Sequence, residues 1–435
     1  MLSCTMSQSN QSALWECPKN FYIDGKVNKQ AACREIDFPI LKVKINNFKD
    51  VMKIFKKFSP DLIKFDKSKK FDGTSEYKGI ILDPSKLNSI HNELSDKESV
   101  ILKQLDIEFN DHIIEFMKIN VVYDNYKLST LFDWILPDNQ HLTGFTIIGH
   151  IVHLNLKEEF YPLKYIIGEM ILDKVSGVTT VVSKLNKIDT EFRTFALELL
   201  AGEEQYVTTI KENGFQFKFD FSKVYWNSRL STEHCRVIDS LRKDDVVYDA
   251  CAGVGPFAIP AAKKGCKVVA NDLNDESCKW FKTNMEINSK KSRHLPIDLH
   301  NLDAGDFIEK IMIPHIIEIV DKSEKLPKFH LIMNLPSIAV DFLSAIVAND
   351  QIEYITRSDV FLHVNCYCFI GKEIPKETIE EKINTQLRER VKSVNLRFVR
   401  NVSPSKDMFC AEIIVNLSAI SGNFEAESKR RKLDE

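Results

Sequence analysis

The stretch Asp245-Val246-Val247-Tyr248-Asp249-Ala250-Cys251-Ala252-Gly253-Val254-Gly255-Pro256-Phe257 decides the fold. Asp245–Asp249 is a short apolar run suited to a buried strand, and the glycines after it make a turn. Glycine behind a parallel strand lets the backbone approach a ligand that a side chain would exclude. The helix that follows offers unpaired N–H groups at the same place. Gly253 and Gly255 make only a GxG, without the third glycine of a dinucleotide fingerprint, so the turn alone leaves the ligand open.

Downstream the pattern repeats. A helix is predicted to Lys264, ended by Gly265, then a strand over Lys267–Ala270 that closes on Asn271-Asp272, then a helix from Glu276 to about Asn288. Strands are predicted again at His330–Met333 and Val360–Val364. Asn395–Val399 and Cys410–Val415 read as an antiparallel pair at one edge. Alternating strands and helices imply an α/β fold, a Rossmann-like parallel sheet covered by helices, over residues 236–418. Two smaller α/β (α+β) domains are expected before it. The first, 36–135, has lysine-rich loops and no catalytic signature. The second, 140–235, has strands around Gly149, another at Thr179–Ser183, and the period-two run Phe215, Phe217, Phe219, Phe221. Residues 1–35, rich in Ser, Asn and Gln, and the tail 419–435 are expected to be disordered.

Composition sets outer bounds. Of 435 residues, 44% are hydrophobic and 28% charged, as in ordinary globular proteins, and no apolar run of membrane-spanning length occurs. A net charge of -3 means that any surface for nucleic acid must be local. Ten cysteines without a CxxC pair point to reduced thiols and no zinc site, and Cys366 and Cys368 alternate as in a buried strand. The cluster Lys429-Arg430-Arg431-Lys432 is either a nuclear import signal or a solvated tail. The absence of acidic residues before Glu16, with little arginine, leaves a mitochondrial presequence open.

Three further positions narrow the chemistry. Asp272, about twenty residues past the turn, can accept hydrogen bonds from both hydroxyls of a ribose; its competing role is to cap the next helix, which Asn274 or Asp275 could equally do. Asp303, in Asn301–Phe307 where a third strand should end, can accept an adenine amino group. Asn334, in Leu331-Ile332-Met333-Asn334-Leu335-Pro336-Ser337, lies at the carboxyl edge of the sheet and can donate to and accept from a base edge.

Together these segments resemble class I S-adenosylmethionine-dependent methyltransferases. More narrowly they resemble the archaeal and eukaryotic tRNA (guanine-37-N1)-methyltransferases, whose motifs match Lys223–His234, Asp249–Phe257, Asn271–Leu273, Asp303-Ala304 and Asn334–Pro336. Glu191–Thr194 and Glu198–Gly202 also fit, while Cys251 stands where the family commonly has an aromatic residue. The resemblance implies a domain that checks the tRNA body, a middle domain, a catalytic domain, S-adenosylmethionine as cofactor and a monomer. Cofactor contacts implied are His234, Asp272, Leu273, Asp303, Ala304 and Asn334, and Asp249, Gly253, Gly255 and Pro336 join them as cofactor-binding candidates. The expected address, read from the two termini, is cytoplasm and nucleus, with the mitochondrial matrix left open.

N1 of guanine carries a proton and becomes a nucleophile only when that proton leaves, so a general base and donors near O6 are needed. Glu233 is the candidate base, at a domain junction where burial would favour proton uptake; Ser231-Thr232-Glu233 reads equally as a helix start. Arg193 is the candidate for stabilising charge on O6, and Asn334 joins the catalytic set. Tyr225, Trp226, Asn227 and Pro336 are candidates for lining the base pocket. Base flipping is expected, and Lys382, Arg388, Arg390, Lys392, Arg397, Arg400 and Lys406 either track phosphates or form a solvated face. Competing readings are aminocarboxypropyl transfer to a modified guanosine, an NAD-dependent oxidoreductase, and a tRNA-binding protein without catalysis.

Overall fold

The computed structural model describes residues 12–71, 76–107, 113–137, 140, 142, 144–188, 195–289, 295–388 and 390–418. Arg193, the basic cluster at 429–432 and the first eleven residues lie outside the described residues. No described helix is long and apolar enough to cross a membrane.

The chain divides into two compact units: residues 1–184 with 197–204, and residues 185–196 with 205–435. The first unit carries a four-stranded antiparallel sheet. Its strands β1 (Arg34–Lys44), β2 (Ser68–Lys70), β3 (Tyr77–Ile81) and β4 (Ile114–Val121) run in the order β2-β3-β1-β4. A second sheet is built from β5 (Thr146–Ile148), β6 (Ile151–Leu154), β7 (Thr180–Ile188) and β8 (Phe195–Gly202), in the order β8-β7-β6-β5. Gly149 takes a φ of 59° in the tight turn between β5 and β6, as its sequence position predicted.

Two expectations change here. Residues 12–35 are not disordered: Leu14 and Phe21 are buried in the core, Arg34 donates to the carbonyls of Ala13 and Glu16, and Trp134 donates to that of Trp15. The apolar side chains scattered through this polar stretch find their partners far along the chain, where no local periodicity reveals them. Nor does a domain boundary fall between 135 and 140, because one apolar core runs from Leu14 through Phe38 and Tyr126 to Ile167 and Leu200.

The second unit holds a seven-stranded sheet. Its members are β11 (Val246–Asp249), β12 (Lys267–Asn271), β13 (Ile297–His300), β14 (Phe329–Met333), β15 (Phe361–Gly371), β16 (Val391–Ser403) and β17 (Lys406–Asn416). They run in the order β13-β12-β11-β14-β15-β17-β16, the first five parallel and β17 antiparallel to both neighbours. This is the expected Rossmann-like sheet with its closing hairpin at the edge. Cys366 and Cys368 are both buried in β15.

The boundary expected at residue 235 lies instead near 204. The hairpin β9 (Val207–Glu212) and β10 (Phe215–Asp220) belongs to the second unit. Its backbone is tied to helix Asp275–Asn288: Asn284 Oδ1 accepts from Lys218 N at 2.7 Å, and Asn288 Nδ2 donates to Gln216 O at 2.7 Å. Phe217 and Phe219 pack on buried Trp226, which explains the period-two run.

Candidate active site

The residues singled out between 225 and 336 all lie in the second unit, several of them on neighbouring strand ends. Asp249 closes β11 and Gly253 and Gly255 turn the chain after it, with φ of 54° and 99°. The two glycines serve different ends. A Cβ on Gly255 would stand 2.6 Å from Ile259 Cδ1, so this glycine permits the turn to pack on its own helix. A Cβ on Gly253 would meet nothing within 4 Å, so its backbone faces open space that a ligand can enter.

Asp272 follows β12. Its Oδ2 accepts from Gly253 N at 2.7 Å and its Oδ1 from Asn274 N at 2.9 Å, while Asn274 performs the helix cap, accepting from Glu276 N at 3.0 Å. Burial raises the Asp272 carboxyl above its ordinary range, and the Asn274 and Gly253 N–H groups oppose the shift. Beside it, Leu273 presents an exposed apolar side chain.

Asp303, after β13, is exposed and caps the turn Ala304–Phe307, with Oδ1 accepting from Gly305 N at 2.7 Å. Asn334 follows β14, half-buried, with no hydrogen bond to its amide among the described residues. Pro336 O accepts from Phe369 N at 3.0 Å, which fastens the Asn334–Pro336 loop to β15.

Asp249 is fully buried, and neither carboxylate oxygen has a well-formed hydrogen bond among the described residues. Burial first, and the charge of Asp272 second, push its pKa up to about 8, tempered by the N–H groups of Cys251 and Ala258. An unpaired buried acid, an open glycine cradle, and further carboxylates on the next two strand ends fit a cationic nucleoside such as S-adenosylmethionine.

Sequence reasoning placed Asn271 in a matching motif without giving it a role. It is buried at the end of β12, donates to Ala250 O (3.1 Å) and Leu302 O (2.9 Å), and accepts from Leu302 N (2.9 Å). One side chain thus ties together the three loops that carry Asp249, Asp272 and Asp303. A polar residue closing an otherwise apolar strand was the available signal.

Glu233 and His234 sit in the first turn of helix α1 (Ser231–Ser240), both buried. His234 Nδ1 lies 2.6 Å from Glu212 Oε1 of β9, and its ring meets Phe257 of the glycine turn edge-on at 4.6 Å between centroids. Phe257 in turn packs on Tyr367, whose hydroxyl donates to Glu233 Oε1 at 2.8 Å. Arg236 grips the same carboxylate through Nη2 (2.6 Å) and Nε (2.9 Å), and this pairing raises the pKa of the guanidinium. Glu233 is therefore buried with three donors rather than alone.

Tyr225 is 51% exposed, whereas Trp226 is core. Asn227 Nδ2 donates to Tyr225 Oη at 3.3 Å, and Asn227 Oδ1 accepts from Arg400 Nη1 at 3.4 Å. Of the seven basic residues between 382 and 406, Arg390 is no surface cation: it is buried against Glu353 and the Ser418 carbonyl. Lys382 pairs with Asp341 and Arg397 with Glu412, while Lys392 and Lys406 lie over Phe361 and Phe369. Arg400 faces Arg229 and Tyr225, and burial with the Arg229 charge lowers its pKa.

The model of the TRM5/TYW2 methyltransferase domain matches residues 208–351, and that of the TYW2 N-terminal domain matches 129–205. The tRNA (guanine(37)-N(1))-methyltransferase of Xenopus tropicalis is 37% identical over 419 residues, covering 94% of this chain and 83% of its own. The human protein of that name is 35% identical over 427 residues, covering 96% and 81%. Among solved structures, Trm5b from Pyrococcus abyssi aligns with a TM-score of 0.58 at 23% identity, covering 87% of this chain and 99% of its own. The aTrm5 chain crystallised with tRNALeu aligns at 0.56 and 22%, with the same coverage. These two structures show the shared fold, and the sequence relatives show the family: this chain belongs to the tRNA (guanine(37)-N(1))-methyltransferases.

Proposed function

We propose that this protein methylates N1 of guanine 37 in tRNA, the base 3′ to the anticodon, with S-adenosylmethionine as donor. The observation that carries the reading is the 37% identity spread over 94% of the chain, joined to a strand-end row of Asp249, Asp272, Asp303 and Asn334 that suits the cofactor. When bound, S-adenosylmethionine supplies an electrophilic methyl group on a sulfonium. Gly253, Asp272, Leu273, Asp303 and Ala304 would hold its nucleoside, and its positive charge would favour ionisation of Asp249 behind the turn, against the burial that raises that carboxyl's pKa. His234 backs the glycine turn through Phe257.

Glu233 removes the N1 proton. Arg193 and Asn334 stabilise the charge that collects on O6, and Tyr225, Asn227 and Pro336 line the base. The flipped guanine enters from the tRNA anticodon loop. Relatives named for the N1 reaction favour methyl transfer over aminocarboxypropyl transfer. The protein acts as a monomer in cytoplasm and nucleus. A fluorescent fusion with Lys429, Arg430, Arg431 and Lys432 replaced by Ala tests the address, and unchanged nuclear signal would reject that cluster.

The deciding assay uses labelled cofactor and tRNA transcripts with guanine or adenine at position 37. Label only with guanine, and a reverse-transcription stop at that base, is expected. No label in either transcript despite cofactor binding would overturn the proposal.

A further inference from the structure

The Glu233 carboxylate is the inner end of a longer ionic chain. Oε1 accepts from Tyr367 Oη at 2.8 Å and Arg236 Nη2 at 2.6 Å, whereas among the described residues Oε2 accepts only from Arg236 Nε at 2.9 Å. Arg236 continues outward, with Nη1 donating to Glu412 Oε1 at 2.7 Å. Arg397 Nε donates to the same oxygen at 3.2 Å, and Asn395 Nδ2 donates to Glu412 Oε2 at 2.7 Å. The side chains open steadily to solvent, from 10% at Glu233 through 26% at Arg236 and 28% at Glu412 to 48% at Arg397. The members come from α1, β15, β16 and β17.

One carboxylate is enough to neutralise a guanidinium, and this one has two. The second matters when the first loses its charge. A guanidinium cannot give up its proton, so protonation of Glu233 would leave Arg236 half-buried and unpaired, an expensive state. Glu412 removes that cost because Arg236 keeps an anionic partner throughout. Tyr367 is fitted to the donor's role, since burial raises its pKa and the hydroxyl keeps its hydrogen. Cys410, beside the same pair, is likewise held as a thiol by burial, its pKa pushed up to about 12.

We propose that Arg236 and Tyr367 are positioning residues that hold the Glu233 base, and that Glu412 keeps Arg236 paired when Glu233 takes up the proton. This rests on Glu233 acting as the base. In the step concerned the N1–H bond of guanine breaks, the proton goes to Oε2 of Glu233, which carries a single donor among the described residues, and the electron pair stays on N1. Arg236 then remains bonded to Glu412, and Tyr367 to Oε1.

The test uses the full chain and a tRNA transcript with guanine 37, comparing Tyr367→Phe, Glu412→Gln, Glu412→Asp, Arg236→Lys and Glu233→Gln. For each variant kcat, both KM values, the Kd for tRNA and for cofactor by fluorescence, and the melting temperature are measured. Tyr367→Phe, Glu412→Gln and Arg236→Lys, which keeps the charge but loses the fork, are expected to lower kcat about 10- to 100-fold with both Kd values nearly unchanged. Glu412→Asp should recover part of the loss. Glu233→Gln should cost on the order of 10²–10⁴-fold. Wild-type turnover in Tyr367→Phe and Glu412→Gln beside an inactive Glu233→Gln would overturn the positioning roles and leave the base intact. Losses of kcat matched by losses of binding or of melting temperature would also overturn them, as a structural role. Wild-type turnover in Glu233→Gln would instead remove the base, and this inference with it.

Discussion

The backbone N–H of Gly253 donates a 2.7 Å hydrogen bond to Oδ2 of Asp272, joining the glycine turn to the acid at the end of the neighbouring strand. The carboxylate is thereby set in place with lone pairs to spare on both oxygens. If Asp272 accepts from both ribose hydroxyls, Asp272→Ala is expected to weaken S-adenosylmethionine binding roughly 100-fold, at about 1.5 kcal/mol for each bond to a charged group. Calorimetry reads this directly, and near-native affinity would take Asp272 out of the cofactor set.

The two glycines should fail differently. Gly255→Ala forces a Cβ to 2.6 Å from Ile259 at a φ of 99° and is expected to cost stability, roughly 2 kcal/mol by denaturant unfolding. Gly253→Ala has room in the cofactor-free protein and should cost only about 1 kcal/mol while lowering cofactor affinity more strongly. Equal effects of both on stability and binding would remove the distinction.

Asp249 gives a pH signature. Its folded pKa of about 8 lies above the ordinary Asp value of 3.8, so its contribution to stability is complete below that ordinary value and is lost as pH rises towards 8. Asp249→Asn should flatten the fall in melting temperature across that window in the cofactor-free protein, and should weaken cofactor binding. An unchanged pH profile would mean that Asp249 is not the group responsible.

Asn271→Ala deletes three hydrogen bonds and strands buried groups of Ala250 and Leu302. A loss of about 3 kcal/mol in chemical denaturation is expected, with weakened cofactor binding as the three loops come apart. A variant as stable as the wild type would show that water replaces the side chain.

Arg229 and Arg400 share one charged neighbourhood, and no ion pair to either occurs among the described residues. If they meet tRNA phosphates, the double Ala variant should lower the slope of log affinity against log salt by about 1.4, at about 0.7 for each contact with a single strand. Arg390→Ala should leave that slope alone and destabilise the fold by about 2 kcal/mol, since it empties a buried site and removes the donor to the Ser418 carbonyl. The reverse pattern would exchange the two assignments.

The parallel sheet and the strand-end positions of the candidate cofactor residues were legible in the sequence because their signals are local. A buried strand, a glycine turn and an acid at the next strand end follow from residue type and spacing within about forty residues. That holds for Asp249, Gly253 and Asp272, and for Asn334 once the fourth strand is recognised. What only the tertiary structure decided depends on partners far apart in the chain. Leu14 and Phe21 order a stretch that composition marks as loose, and the hairpin 207–220 joins the second unit through Asn284 and Asn288. Above all, Glu233 reads in sequence as a lone acid at a helix start. Its setting comes from Tyr367, 134 residues away, and through Arg236 from Glu412, because sheet order brings β15 and β17 side by side and no spacing rule records that.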